Sequence, residues 1–436
     1  MPAMKSFHII TFGCQMNEHD SERMAGLLEG EGFSSSPVEG ADMVIVNTCS
    51  IREKAEQKFY SELGRLKALK DGNPGLKIAV AGCIAQQEGS KILSRAPYVD
   101  LIFGPSDIAR LPALVPKRQA KPVVETGGDP DYHRKTIRAS RPDTIKAWIS
   151  IMYGCDNFCS YCVVPYLRGR ERSRPPQDIV TEVRSLAEKG YREITLLGQN
   201  VNSYGKGLDQ PVSFPDLLAL LNDVSGIERI RFVTSHPRDL SPELIGALRD
   251  LPKVCESIHL PVQSGSDSVL RRMNRKYTAQ EYLDKVKRLR REVPDIALTT
   301  DIIAGFPGET EEDQVMTELL LTEAAFDGIF AFKYSKRPGT AALRLSGHLP
   351  ESVKEARLSR ILALQKTITA AKNQVLIGSI QEVLIDGSSK KGGTLTGRTR
   401  GNKTVNLPGP LSLVGTRVNV SITAAGQNSL TARICE

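Results

Sequence analysis

Between residues 148 and 332, six short apolar runs alternate with helix-like stretches, and this serial pattern constrains the fold more than any other feature of the chain. The runs are Trp148–Met152, Glu193–Leu197, Ile230–Val233, Ser257–Leu260, Ala297–Ile303 and Ile329–Phe332. Helical patterns such as Asp178–Lys189, Phe214–Asn222, Pro242–Leu251, Ala279–Arg291 and Glu312–Ala325 separate most of them. Strand–helix repeats build α/β architecture, and six units are too few to close an eight-stranded barrel. The expectation is a central partial (β/α)6 barrel whose working loops gather at the carboxyl ends of its strands.

The loop after the first of these strands carries Cys155, Cys159 and Cys162 in a CxxxCxxC run. Structural zinc takes four closed ligands, and no fourth cysteine or histidine follows nearby. A four-iron cluster normally takes four cysteines, so three leave one iron for a substrate or cofactor. Tyr161, just before the last cysteine, offers a ring to shield the cluster or face a purine. The plain alternative is three structural thiols.

A second set of cysteines follows a different logic. Phe7–Thr11, Met43–Asn47 and Ile78–Ala81 each lead into a cysteine, Cys14, Cys49 and Cys83, and then into a helical pattern at Glu18–Leu28, Arg52–Leu69 and Gln86–Leu93. Equivalent strand-to-helix junctions of a parallel sheet share one edge, so these thiols should converge, near helix N-termini that favour thiolate charge. Three separate buried cysteines remain the bland reading.

Other strand ends supply cofactor candidates. Gln199 and Asn200 follow the second strand of the barrel, Ser235 the third, and Gly305 with Phe306 the fifth, where a backbone edge could meet an adenine. His236 and His259 also sit at strand ends and are given no proton-transfer role. Arg168 and Arg170, in the run Arg168–Arg174, and Arg337 after the sixth strand are candidates for phosphate contact, against the alternative of solvated loops. Cys255 and Cys435 fit neither cysteine set.

The remaining segments divide the chain. Residues 5–118 read as an N-terminal parallel α/β domain, 119–140 as a Pro- and Gly-rich linker, 141–372 as the central barrel ending in a helix near Glu351–Lys372, and 374–436 as a small β-barrel. The last piece carries seven basic residues against three acidic, and the whole chain a formal charge of +8, which favours a nucleic-acid partner. With 40% hydrophobic and 25% charged residues the composition is globular, and eight cysteines over 436 residues are too sparse for a disulfide scaffold. No secretion signal and no membrane-spanning run is read, so the expected compartment is cytoplasmic, with no membrane partner.

Family-specific residues complete the reading. The CxxxCxxC spacing with Tyr161 resembles the radical S-adenosylmethionine (SAM) superfamily. Gly13–Asn17 with Asp20–Glu22, Asn47–Arg52, Ala81–Gln86 and Gly154–Arg174 resemble its methylthiotransferases over essentially the whole chain, and Gln15-Met16-Asn17 resembles the group acting on dimethylallyl-adenosine in tRNA. The resemblance implies two 4Fe-4S clusters, an auxiliary one on Cys14, Cys49 and Cys83 and a SAM-binding one on Cys155, Cys159 and Cys162, with a C-terminal TRAM domain for RNA. It further implies addition of a methylthio group at carbon 2 of N6-dimethylallyladenosine at position 37 of the anticodon loop. An electron donor protein and a sulfur source would then be partners. Sister enzymes modify threonylcarbamoyl-adenosine or a ribosomal-protein aspartate, and an iron–sulfur RNA-binding sensor is the reading from another class.

Overall fold

The computed structural model describes residues 6–49, 53–115, 121–129, 131–132, 135, 137–389 and 392–435. They form two compact units. The first comprises residues up to 142 with 148–156 and 163–178, and the second comprises 143–147, 157–162 and 179–436.

The first unit is built on a six-stranded sheet in the order Ser34–Ser35, Ser6–Phe12, Met43–Thr48, Lys77–Gly82, Leu101–Phe103, Val123–Glu125. Every pairing is parallel. Met43–Thr48 is buried along its whole length, as a strand covered on both faces must be. Val44, Val46, Ile78, Val80 and Ile102 pack with Phe59, Leu63 and Leu66 of helix Glu53–Gly72 in one apolar core. The first helix, Gln15–Gly30, starts directly after Cys14, three residues earlier than the apolar pattern suggested. The third helical pattern is broken: Cys83–Glu88 ends at Gly89, and Lys91–Arg95 follows separately. Part of the expected linker is sheet, because Val123–Glu125 pairs with Leu101–Phe103. Too short to show periodicity, that strand is fixed only by its neighbour. Arg52 and residues 119–120, 130, 133–134 and 136 of the linker lie outside the described residues.

Six barrel strands run in chain order: Lys146–Ser150, Glu193–Leu197, Arg229–Phe232, Ser257–His259, Ala297–Ala304 and Gly328–Lys333. Within the second unit, Glu193–Leu197 pairs in parallel with Arg229–Phe232, and Ala297–Ala304 lies in parallel between the last two partners. A bridge from Ile230 to Val254 links the two groups. The helices between them are closed by local capping, as where Thr278 and Glu281, or Thr310 and Asp313, bond reciprocally with the backbone.

The same unit ends in a closed five-stranded barrel of Ile380–Ser388, Leu395–Thr399, Thr404–Leu407, Arg417–Ala425 and Leu430–Ile434. Alternate residues Val383, Ile385, Val405, Leu407, Val420 and Ile422 fill it. The small barrel is clamped within its unit. Arg229, fully buried, donates to the Arg398 carbonyl at 2.7 Å and to the Glu382 carboxylate at 2.8 Å. Arg231 reaches the Arg400 and Thr399 carbonyls at 2.7 and 2.8 Å. Three of the basic residues expected to face nucleic acid are consumed here: Arg400 pairs with Glu256, Lys403 with Asp327 and Arg417 with Glu228.

Candidate active site

Cys14, Cys49 and Cys83 stand at the ends of three adjacent strands of the first sheet, where the sequence pattern placed them. Gly82 makes room for the turn into Cys83: its φ is +89°, and a Cβ there would lie 2.3 Å from the Asn47 side chain. The three thiols are linked in a chain through Cys49. The Cys49 hydrogen bond, with Arg168 adding its charge against the cost of burial, draws the Cys14 thiol down to about 6. Cys83 is drawn to about 7 in the same way, while Cys49, bonded to both neighbours, is held up. Two of the three sulfurs are thus drawn towards the thiolate form beside a fixed cation, the form in which cysteine binds iron.

Arg168 is the cation. Its side chain is 5% exposed and pairs at 2.8 Å with Asp20, which is fully buried on the first helix. The expectation of a phosphate contact therefore fails for this residue: it is enclosed by carboxylate and thiols. Arg170, two residues on, is 68% exposed and pairs with Asp156 at 2.7 Å. Arg172 is exposed in a two-residue strand opposite Met152–Tyr153, and Arg174 is buried against the Ser150 carbonyl. Only part of the four-arginine run is left at the surface.

Cys155 is buried in the first unit, its N–H donating to the Gly169 carbonyl at 3.2 Å. The preceding Gly154 has φ +76°, and a Cβ would sit 2.1 Å from the Arg170 carbonyl oxygen, so only glycine fits this crossing. Cys159 and Cys162 continue the same loop in the second unit, where the Cys162 N–H bonds the Cys159 carbonyl at 3.0 Å. Sequence reading missed a partner of Cys159. Arg275 Nη1 lies 3.4 Å from Cys159 Sγ and 3.5 Å from the Tyr161 hydroxyl, while its other nitrogens bond Tyr277 and the Pro261 carbonyl. Burial works against its charge, and Tyr277, Tyr161 and Cys159 more than offset this. The Tyr161 ring packs on Val269, Met273, Phe306 and Tyr334, so Phe306 acts through packing, whereas Gly305 donates its N–H to Glu309 at 3.0 Å.

The strand ends beside this loop hold buried polar atoms without a protein partner: Asn200 Oδ1, Ser235 Oγ and His236 Nε2. Such groups are costly unless a ligand meets them. His236 Nδ1 accepts from the Arg238 N–H, which leaves Nε2 as the site of the ring hydrogen. Burial, then Arg275 and Arg238, lower the His236 pKa to about 2, so the ring is neutral. Thr234 and Gln263, also at strand ends, hold φ of +68° and +77°, a strained conformation for side-chain-bearing residues that is typical of working sites. Gln199 is partly buried next to Asn200. Arg337 is 7% exposed and its carbonyl caps Thr340, so it does not present a surface cation.

Among the described residues, no group of three or more His, Cys, Asp or Glu is arranged to hold a single metal ion. The fit to consider is to a polynuclear group: Cys14, Cys49 and Cys83 stand together beside Arg168, and Cys159 stands beside Arg275. Comparison with known proteins finds three family models along the chain. Residues 6–104 match the model of the uncharacterized protein family UPF0004, 149–320 the radical SAM superfamily and 374–435 the TRAM domain. A tRNA-2-methylthio-N(6)-dimethylallyladenosine synthase of Thermodesulfovibrio yellowstonii is 52% identical over 427 residues, 98% of each chain. This chain belongs to that synthase family. The protein of the same name from Clostridium novyi is 49% identical across 99% of this chain and 96% of its own. Among solved structures, the radical SAM methyltransferase TsrM from Kitasatospora setae aligns with a TM-score of 0.55 at 15% identity, covering 78% of this chain and 75% of that one, a likeness of fold.

Proposed function

We propose that this chain is a radical SAM tRNA methylthiotransferase, replacing the hydrogen on carbon 2 of N6-dimethylallyladenosine in an anticodon loop with a methylthio group. Membership of the synthase family over essentially its full length carries the reading. Cys155, Cys159 and Cys162 would hold one 4Fe-4S cluster and Cys14, Cys49 and Cys83 the other. When bound, these clusters and SAM supply a 5'-deoxyadenosyl radical at one site and a sulfur-borne methyl group at the other.

The chain's own residues do the positioning. Arg275 holds Cys159, Pro261 and Tyr277 in one network, which fixes the loop against the strand ends. Asn200, Ser235 and neutral His236 offer hydrogen bonds to the polar groups of SAM, and Arg168 neutralises the thiolates of the other set. Arg170, and the surface cations of the small barrel, Arg398 and Arg433, attract the RNA backbone. No helix among the described residues is long and apolar enough to cross a membrane, and a tRNA substrate with reducible clusters suits the cytoplasm, where an electron donor protein and a sulfur source would serve the enzyme.

The test is anaerobic turnover of the cluster-reconstituted full chain with SAM, a reductant and a prenylated anticodon stem-loop. Methylthiolated adenosine is the expected product. With Cys155, Cys159 and Cys162 all changed to Ala, SAM cleavage should stop; with Cys14, Cys49 and Cys83 changed, cleavage should persist without methylthiolation. Each set should lower iron per chain by roughly half. Sulfur insertion by the variant lacking Cys14, Cys49 and Cys83 would overturn the assignment.

A further inference from the structure

The inner wall of the partial barrel carries a face that none of the residues above uses. Strand Ala297–Ala304 buries Leu298, Thr300 and Ile302 and leaves Asp301 and Ile303 partly exposed. Thr300 bonds Tyr282 of helix Ala279–Glu292, so it points outward, and the two-residue period of a strand turns Asp301 and Ile303 inward. On the neighbouring strand, Phe330 lies opposite Asp301 and Phe332 opposite Ile303. Lys333, on the other side of that strand, bonds Glu355 of the outer helix Glu351–Gln374. Both phenylalanines therefore face inward, and they are 52% and 43% exposed.

Barrel interiors are normally packed by such side chains, so a wall that leaves this much aromatic surface exposed, above all at Phe330, has room for an apolar group. Polar groups adjoin them. His259 packs its ring on Phe330 with centroids 5.7 Å apart, and its Nε2 stands 3.3 Å from Asp301. The wall also reaches the cysteine loop, because Ile303 shares an apolar cluster with Tyr161. An apolar pair beside a hydrogen-bonding pair, next to the SAM-binding loop, suits a flat nitrogenous base that carries a branched hydrocarbon.

We propose that Phe330 and Phe332 seat the dimethylallyl group of the target adenosine, while Asp301, oriented by His259, which Thr299 holds at its other nitrogen, meets the polar edge of its base. This deepens the function proposed above and rests on it. A hydrocarbon of five carbons taken from water onto two aromatic rings is a term large enough to select prenylated RNA over the unprenylated precursor.

The experiment measures binding of the cluster-reconstituted full chain to one anticodon stem-loop made with and without the dimethylallyl group. The unaltered chain should prefer the prenylated RNA by at least about tenfold. In the double variant Phe330→Ala/Phe332→Ala the preference should collapse towards one, through weaker binding of the prenylated RNA alone. Phe330→Leu/Phe332→Leu, which keeps an apolar wall, should retain most of it. An alanine variant that keeps the preference, or a leucine variant that loses as much as alanine, overturns the seat while leaving the function reading intact. Equal binding of the two RNAs by the unaltered chain would likewise overturn the seat, while the turnover experiment above decides the function.

Discussion

Arg168 and Arg170 stand two residues apart in one basic run, and their surroundings give them opposite work. Arg170 is a surface cation beside Asp156, whereas Arg168 is enclosed with Asp20 and the thiols of Cys14 and Cys83. Arg168→Met should therefore lose iron from the N-terminal site, with iron per chain after reconstitution falling towards half, and should also lower thermal stability. Leaving the Asp20 carboxylate buried and unpaired costs on the order of 3–5 kcal/mol. Adding Asp20→Asn should restore much of the stability but none of the iron, which separates a structural ion pair from a counter-charge to the cluster. Full iron content in Arg168→Met would refute the counter-charge role. Charge alone makes these two arginines equivalent in the sequence; only burial distinguishes them.

At the scale of elements, the small C-terminal barrel is integral to the second unit. Its composition suggests a detachable RNA-binding module, yet Arg229 and Arg231 are buried beneath its backbone carbonyls. Deleting 374–436 would uncover both guanidiniums and remove these acceptors together, leaving Glu193 as their remaining anion, against a total stability of only about 5–15 kcal/mol. The truncated chain should unfold at a much lower temperature or fail to fold, as circular dichroism would register. A deletion that melts like the full chain would show that the clamp contributes little. The RNA role is better read from Arg433→Gln, at an exposed position, and Arg398→Gln, at a partly exposed one, whose loss should flatten the dependence of log affinity on log salt by roughly 0.7–0.9 per contact.

For the whole molecule, the cysteine sites are carried by elements with cores of their own. Strands ending at Cys14, Cys49 and Cys83 are held by an apolar core that includes Val44, Ile78, Ile102 and Phe59. Iron removal should accordingly leave the far-ultraviolet circular dichroism nearly unchanged, and reconstitution should raise the thermal midpoint, because a ligand that binds only the folded state stabilises it. Cooperative loss of secondary structure on chelation would show instead that the clusters build the fold. The sequence by itself determined both cysteine sets and the serial architecture, since CxxxCxxC is local and a parallel sheet repeats strand, cysteine and helix at a regular interval. It also carried the alternation within strands. What it could not carry was assignment of faces and partners. Arg275 meets Cys159 across 116 residues of chain, Val123–Glu125 becomes a strand only beside Leu101–Phe103, and Phe330 and Phe332 turn inward because Lys333 is held by the outer helix. Those outcomes depend on which distant surfaces exclude water together, a property of the packed chain rather than of any window along it.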